Sequence, residues 1–157
     1  MSYTLLSQLM NEAASSGVEV LERPFKNLKL KGLYIDKVIT INSATTQSLS
    51  EKCCTLAEEI GHYHTSVGNI LDQADIRNRK QELRARQWAY QRLIPLSAII
   101  QAHQARVKGR YEIAEFLGVT EEFLQASIDR YQQIYEIYTV CDGYLIYFDP
   151  LGVVEIF

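Results

Sequence analysis

The fold is decided by the stretch Leu56-Ala57-Glu58-Glu59-Ile60-Gly61-His62-Tyr63-His64. Its apolar residues recur at helical spacing, which predicts an α-helix. In the helical pattern H-E-x-x-H, two metal-binding histidines lie one turn apart, and a glutamate that acts as general base follows the first histidine. Here Glu59 occupies the base position and His62 the second ligand position. Glu58 stands where the first histidine is expected, so the chemistry depends on this residue.

Three side chains are candidate metal ligands. Residues four apart lie on one face of a helix, so Glu58 and His62 point the same way. Glu59 lies about 100° around the helix, where its carboxylate is free to act on a water molecule. A catalytic zinc ion has three protein ligands and one open position, and the next predicted helix contains Glu82. The sequence therefore predicts Glu58, His62 and Glu82 as metal ligands and Glu59 as the catalytic residue.

A carboxylate in place of an imidazole changes the expected metal. Two histidines and one glutamate leave Zn²⁺ with a net charge of about +1, whereas Glu58, His62 and Glu82 leave it near zero. Bound water is then less acidic, and harder ions such as Mn²⁺ or Mg²⁺ compete better. The expected cofactor is Zn²⁺, with Mn²⁺ or a metal-free site as alternatives. His64 is expected to face away from the Glu58 and His62 side, as a solvated or capping residue.

A second motif follows the first along the chain. Residues 82–95 read E-L-R-A-R-Q-W-A-Y-Q-R-L-I-P. Together the two motifs resemble those of the ImmA/IrrE metallo-endopeptidases of phages and mobile elements, H-E-x-G-H followed by E-x-x-A-x-x-F-A-x-x-L-L-P. The matching residues are Glu59, Gly61 and His62, then Glu82, Ala85, Ala89, Leu93 and Pro95, with Trp88 at the aromatic position and Ile94 replacing a leucine. The resemblance extends to residues 31–34 and 113–123.

The resemblance implies a zincin-like fold and a cytoplasmic zinc peptidase that is encoded near a phage-type repressor. Such a protein cleaves the repressor or otherwise relieves its action. The expected partner is therefore a phage-type repressor or another protein substrate. The change at Glu58 leaves an alternative of another class. In that alternative the protein is a catalytically impaired member of the same fold, which binds a repressor or other regulator without cleaving it.

Composition is typical of a globular protein, with 47% hydrophobic and 22% charged residues among 157. We expect residues 1–157 to form a single metallopeptidase-like domain. A net charge of −3 gives no overall attraction to nucleic acid or to anionic lipid. No apolar run is long enough to span a bilayer, and no secretory signal is visible, so we expect a cytoplasmic protein. The adjacent pair Cys53 and Cys54 is expected to be buried on a helix face and not part of a disulfide framework.

The order of elements predicts an α+β fold, in which β-rich, helical and again β-rich segments follow one another. Helices are predicted over residues 3–14, 48–64, 80–93, 97–107, 111–117 and 120–138, with strands over 18–21, 32–35, 38–41, 144–148 and 153–157. Ser48 and Glu51 form a capping box, and Asp36-Lys37 a tight hairpin turn. Asp72 or Asp75 is expected to cap the helix that contains Glu82.

Two further patterns have competing interpretations. Residues 112–123 resemble a helix-turn-helix, but the second helix begins with the acidic Thr120-Glu121-Glu122, so DNA binding is not expected. A helix pair that packs the core or docks a protein is favoured. The basic run from Arg77 to Arg92 is expected to be a solvated helix face. The alternative is that some of these cations pair with Glu58 and Glu59 or hold an acidic partner.

Overall fold

The computed structural model describes residues 2–46, 48–65 and 76–157. The chain divides into two compact units, Met1–Ala89 and Tyr90–Phe157. The prediction that residues 1–157 form one domain stays a prediction. Gly68-Asn69 also predicts a loop. This loop and the cap predicted at Asp72 or Asp75 lie outside the described residues.

The first unit combines helices with a small mixed sheet, which is the predicted α+β arrangement. Its elements are α1 (Ser2–Ser15), β1 (Glu19–Arg23), β2 (Gly32–Ile35), β3 (Val38–Asn42), α2 (Leu49–Thr65) and most of α3 (Ile76–Leu93). The strand order is β1-β3-β2, with β1 parallel and β2 antiparallel to β3. Asp36 and Lys37 both have positive φ, 49° and 62°, as a two-residue type I′ turn requires. The predicted hairpin is therefore confirmed.

The α2 helix is fixed at its start by a cap and along its length by burial. The Ser48 hydroxyl accepts a hydrogen bond from the Glu51 amide at 3.0 Å, which confirms the predicted cap. Leu56 and Ile60 pack into the same core as Leu9 of α1 and Ile39 of β3, and all four are essentially inaccessible to solvent. Cys53 and Cys54 are buried on this helix, as predicted, and burial raises the pKa of the Cys53 thiol to about 11. The two cysteines therefore pack as small apolar side chains in the core of the first unit.

One buried amide organises the loop between β1 and β2. The Asn42 side chain is fully buried and makes three hydrogen bonds to main-chain groups. Its Oδ1 accepts from the Phe25 amide at 3.0 Å and the Ala44 amide at 2.9 Å. Its Nδ2 donates to the Leu30 carbonyl at 2.8 Å. The chain that leads into β2 is thereby held against the end of β3.

The second unit is a helical segment followed by an antiparallel sheet. Its elements are α4 (Leu96–Gln104), α5 (Arg110–Leu117), α6 (Glu121–Tyr135), β4 (Tyr138–Cys141), β5 (Tyr144–Phe148) and β6 (Leu151–Glu155), with strand order β4-β5-β6. The turn between α5 and α6 uses Gly118 in the left-handed conformation, and the Thr120 hydroxyl accepts from the Phe123 amide at 3.1 Å. Phe123, Leu124 and Ile128 are buried, which confirms a helix pair that packs a core.

The predicted end of the last helix is wrong. The helix expected over residues 120–138 stops at Tyr135, where Glu136 adopts a positive φ of 64°. Tyr138–Cys141 instead pairs with β5 across the two-residue turn Asp142-Gly143. Asp-Gly is a strong hairpin signal, and this pairing outweighs the helical periodicity that runs through Tyr138. The C-terminal sheet consequently has a third strand that the sequence analysis missed.

The exposed face of α3 carries basic residues, as predicted. Arg79, Lys80, Arg84 and Arg86 are all exposed. Within the described part of the chain, no helix combines the length and the apolar character needed to cross a bilayer.

Candidate active site

Helix α2 carries the residues of the first motif, and two of them are buried in the first unit. His62 is only 2% exposed and Glu59 only 8% exposed, although both are polar. Glu58 is half-buried. Polar groups are rarely buried to this degree without a partner, so each of these side chains is expected to face a polar or charged group.

The partner of His62 comes from α3. Its Nε2 lies 2.9 Å from Oε2 of Glu82, the residue predicted as the third ligand. The Glu82 side chain is 22% exposed, and its other oxygen lies 3.8 Å from the Arg86 guanidinium one helical turn away. The structure therefore brings together two of the three predicted ligands from separate helices. An imidazole nitrogen and a carboxylate oxygen side by side are a donor pair that suits a divalent cation.

A close helix crossing makes this meeting possible. A Cβ built on Gly61 would touch the Ala85 carbonyl oxygen and lie 3.1 Å from its carbonyl carbon and 3.2 Å from its Cα. Only glycine at position 61 lets the backbone of α3 approach α2 so closely. Ala85 follows Glu82 by about one turn and is fully buried, so the same crossing places Glu82 against His62. The small residues of the two motifs thus have a geometric role.

Strand β2 covers the other side of Glu59. A Cβ on Gly32 would lie 2.8 Å from the Thr55 methyl group, 3.0 Å from Glu59 Cγ and 3.1 Å from Glu59 Oε1. The absence of a side chain at Gly32 therefore leaves room for the Glu59 carboxylate beneath the strand. Gly32 was not predicted as a site residue, because nothing local indicates which helix the strand will cross.

The electrostatic environment raises the pKa of both adjacent glutamates. Burial, with smaller contributions from the charges of Glu82 and Glu58, raises the pKa of Glu59 to about 8. Burial also raises the pKa of Glu58. The guanidinium of Arg86 opposes that rise, Glu82 adds to it, and His62 and Lys31 oppose it. A carboxyl group with a pKa near neutrality can accept and release a proton at physiological pH, which suits Glu59 to general base chemistry.

Two cations near Glu58 were not predicted as site residues. Arg86 was expected on the solvated face of α3, with pairing to the glutamates as the alternative, and its influence on Glu58 supports that alternative for this one residue. Lys31, which directly precedes β2, also acts on Glu58. Its distance in sequence from position 58 left no local signal.

His64 lies in an aromatic contact that was also not predicted. It is exposed, as a solvated residue should be, and its ring stacks on Trp88 with centroids 4.8 Å apart and planes at 29°. Trp88 belongs to α3 and is half-buried. The His64 side chain is thereby directed to the indole.

The metal that the resemblance implies needs several donor atoms close together. Among residues 2–46, 48–65 and 76–157, no three or more His, Cys, Asp or Glu side chains are grouped so as to hold a metal ion. His62 and Glu82 meet directly, and Glu58 interacts electrostatically with both of them. One imidazole and two carboxylates have the chemistry of a divalent cation site. The set Glu58, His62 and Glu82 stays a prediction.

Comparison with known proteins supports the family resemblance. No curated protein matches the chain. The sequence does match a family profile, Peptidase_M78, described as the IrrE N-terminal-like domain, over residues 13–129. The matched region covers well over half of the chain and includes the helices that carry Glu59, His62 and Glu82. Members of this family are generally zinc metallopeptidases, in keeping with the two-helix site. The chain therefore belongs to the Peptidase_M78 family of IrrE N-terminal-like domains.

Proposed function

We propose that this protein is a zinc-dependent endopeptidase that acts in the cytoplasm on a regulatory protein, a phage-type repressor. The observation that carries the proposal is the buried Glu59, whose pKa is raised to about 8, on the helix where His62 meets Glu82 at 2.9 Å. A buried carboxyl group next to a pair of cation-binding donors is the arrangement that hydrolysis of a peptide bond needs.

The edge of β2 offers a place for a peptide. In the described chain β2 pairs with β3 alone, so its other edge has no strand beside it. The main-chain N–H of Asn42 donates a hydrogen bond to the Lys31 carbonyl at 2.8 Å, so the main-chain groups of Lys31 point towards β3. Because the direction alternates along a strand, the main-chain groups of Gly32 and Tyr34 point to the open edge. An extended peptide could pair there as an added strand, beside Glu59.

The chemistry follows from the positions of these side chains. When bound by His62, Glu82 and Glu58, a zinc ion would polarise the peptide carbonyl and acidify the attacking water. Glu59 would accept a proton from the attacking water as its oxygen bonds to the peptide carbonyl carbon, and would return that proton to the nitrogen as the carbon–nitrogen bond breaks. Gly32 leaves room for the Glu59 carboxylate, since a side chain at this position would displace it.

Metal content is the first test. Protein purified without chelator is expected to carry about one zinc ion per chain, and His62→Ala and Glu82→Ala to lose it, as measured by mass spectrometry of the metal. The Glu19→Ala variant, which changes an exposed carboxylate of the same unit, serves as control. Equal and negligible metal in all four proteins would contradict the proposal.

Cleavage is the second test. A phage-type repressor co-expressed with the wild-type protein should be cut, and co-expression with Glu59→Gln should leave it intact, because glutamine cannot accept the proton. Glu59→Gln should still bind the metal. An intact repressor with metal-loaded wild type would contradict cleavage.

A second candidate function has its own supporting observation. Arg86 and Lys31 both oppose the negative charge of Glu58, which weakens the attraction of this site for a cation. A protein with such a site could bind a repressor or other regulator without cleaving it. Under this alternative the wild-type protein and Glu59→Gln retain the repressor equally in a pull-down, and neither cuts it. Retention by Glu59→Gln together with cleavage by wild type would contradict it.

A further inference from the structure

Four aromatic rings form a continuous series beside the candidate active site, which we name the aromatic ladder: Tyr34, Tyr63, His64 and Trp88. Tyr34 of β2 meets Tyr63 edge to face with centroids 6.1 Å apart, and Tyr63 meets His64 in the same way at 5.0 Å. His64 then stacks on Trp88 at 4.8 Å. His64 is exposed and the other three rings are half-buried, so the series presents ring surface to solvent.

The ladder begins on the strand whose open edge lies beside Glu59. Gly32 and Tyr34 are two residues apart on β2, so they face the same side, and both face α2. A peptide that pairs with this edge places the residue opposite Gly32 next to Glu59. Its residue opposite Tyr34 then points to the same side, about 7 Å further along, beside the Tyr34 ring that contacts Tyr63.

We infer that the aromatic ladder is a specificity-determining subsite that takes a large apolar side chain, aromatic by preference, from a peptide paired with β2. The inference rests on the proposed function, since it deepens the account of what that site accepts. The rings offer flat and edge surfaces for stacking and burial, and Tyr34, at one end of the series, lies on β2 itself. Small or acidic side chains gain little from such a surface.

The expected preference can be given as a ratio. A peptide whose phenylalanine side chain is covered by an aromatic surface should bind roughly tenfold more tightly, or better, than a peptide with alanine at the same position. His64 lies between Tyr63 and Trp88, so its removal takes away both a stacking surface and the support of the neighbouring rings. We expect His64→Ala to lower the phenylalanine-to-alanine ratio by about fivefold.

The chain provides its own reporter for the test. Trp88 is the single tryptophan, so its fluorescence reports on the ladder alone. The probes are short acetylated and amidated peptides of serine, threonine and valine, with one central phenylalanine, alanine or glutamate. Each is titrated into Glu59→Gln, which prevents cleavage, and the affinity is measured from Trp88 emission and from calorimetry. The same titrations are run with His64→Ala added and with Tyr138→Ala added, an exposed tyrosine of the second unit, as control.

The outcomes separate the inference from the proposed function. Tighter binding of the phenylalanine peptide, with a ratio that falls in the His64→Ala background and not in the Tyr138→Ala background, supports the ladder. Equal affinity for all three peptides, or binding of none by a correctly folded protein, overturns it. Cleavage of the phenylalanine and alanine peptides by wild type with equal efficiency also overturns it, but leaves the proposed peptidase standing. Selective binding without any cleavage by wild type supports the ladder and counts against the peptidase.

Discussion

Replacement of Gly61 by alanine tests the helix crossing that assembles the site. In an ordinary helix interior this change stabilises by about 1 kcal/mol, because glycine loses more backbone freedom on folding. Here the new methyl group would lie 3.1 Å from the Ala85 carbonyl carbon and 3.2 Å from its Cα, closer than normal contact, and would touch the carbonyl oxygen. Overpacking of this kind costs about 1–3 kcal/mol. Subtracting the ordinary gain of about 1 kcal/mol from this cost leaves a net destabilisation of about 0–2 kcal/mol. Since the obstacle is main chain, which cannot move aside as a side chain can, we expect the upper part of that range, about 1–2 kcal/mol.

Urea denaturation followed by circular dichroism measures this effect. The midpoint of unfolding should fall in Gly61→Ala with little change in slope. The double variant with Ala85→Gly provides the decisive control. Removal of the Ala85 methyl group leaves the obstructing carbonyl and Cα in place, so the two changes should add without rescue. A Gly61→Ala protein as stable as wild type would refute the close crossing. Recovery of stability in the double variant would instead refute the assignment of the obstacle to the main chain of Ala85.

Two further predictions concern buried polar groups. In metal-free protein, Glu59→Gln should be more stable than wild type at about pH 9 and nearly equal to it at about pH 4. The pKa of Glu59 in the folded protein, about 8, lies above its ordinary value of 4.5. The wild-type protein therefore loses stability as the pH rises from 4.5 to 8. At 1.36 kcal/mol per pKa unit, the loss in free energy of unfolding is at most about 5 kcal/mol. Urea midpoints across this pH range measure the difference in stability between Glu59→Gln and wild type. A difference that does not change with pH would count against a buried, protonated Glu59. The control Glu19→Gln, at an exposed position, should show no such pH-dependent difference. Asn42→Ala should cost about 2–4 kcal/mol, because three main-chain groups lose their partner and at least some stay buried. The matched change Asn27→Ala, which removes a single exposed hydrogen bond to a main-chain amide, should cost under about 1 kcal/mol, and equal losses would contradict the role of Asn42.

Local rules account for much of what the sequence predicted. The Ser48 cap, the Asp36-Lys37 turn and the α5–α6 pair all depend on residues a few positions apart, and all three are confirmed. Where two local signals competed, the prediction failed. Helical spacing continued through Tyr138, but pairing of β4 with β5 across Asp142-Gly143 ends the helix at Tyr135.

The site shows the same division. Spacing within α2 predicted Glu59 and His62 as site residues, and the second motif predicted Glu82, because residue type and helical periodicity are properties of the sequence. The neighbours Lys31 and Arg86, which change the charge around Glu58, were not identified as site residues in advance. Their effect depends on distances between separate elements.

The sequence by itself determined which helices form, which family the motifs indicate and which side chains have the chemistry of a metal-dependent hydrolase. Only the tertiary structure decided which of them meet. His62 reaches Glu82 because Gly61 lets α3 come into contact with α2, and Glu59 is buried because Gly32 lets β2 cross above it. The physical reason is that burial and electrostatic coupling depend on separations of a few ångströms between residues distant in sequence, and close packing of the whole core sets those separations.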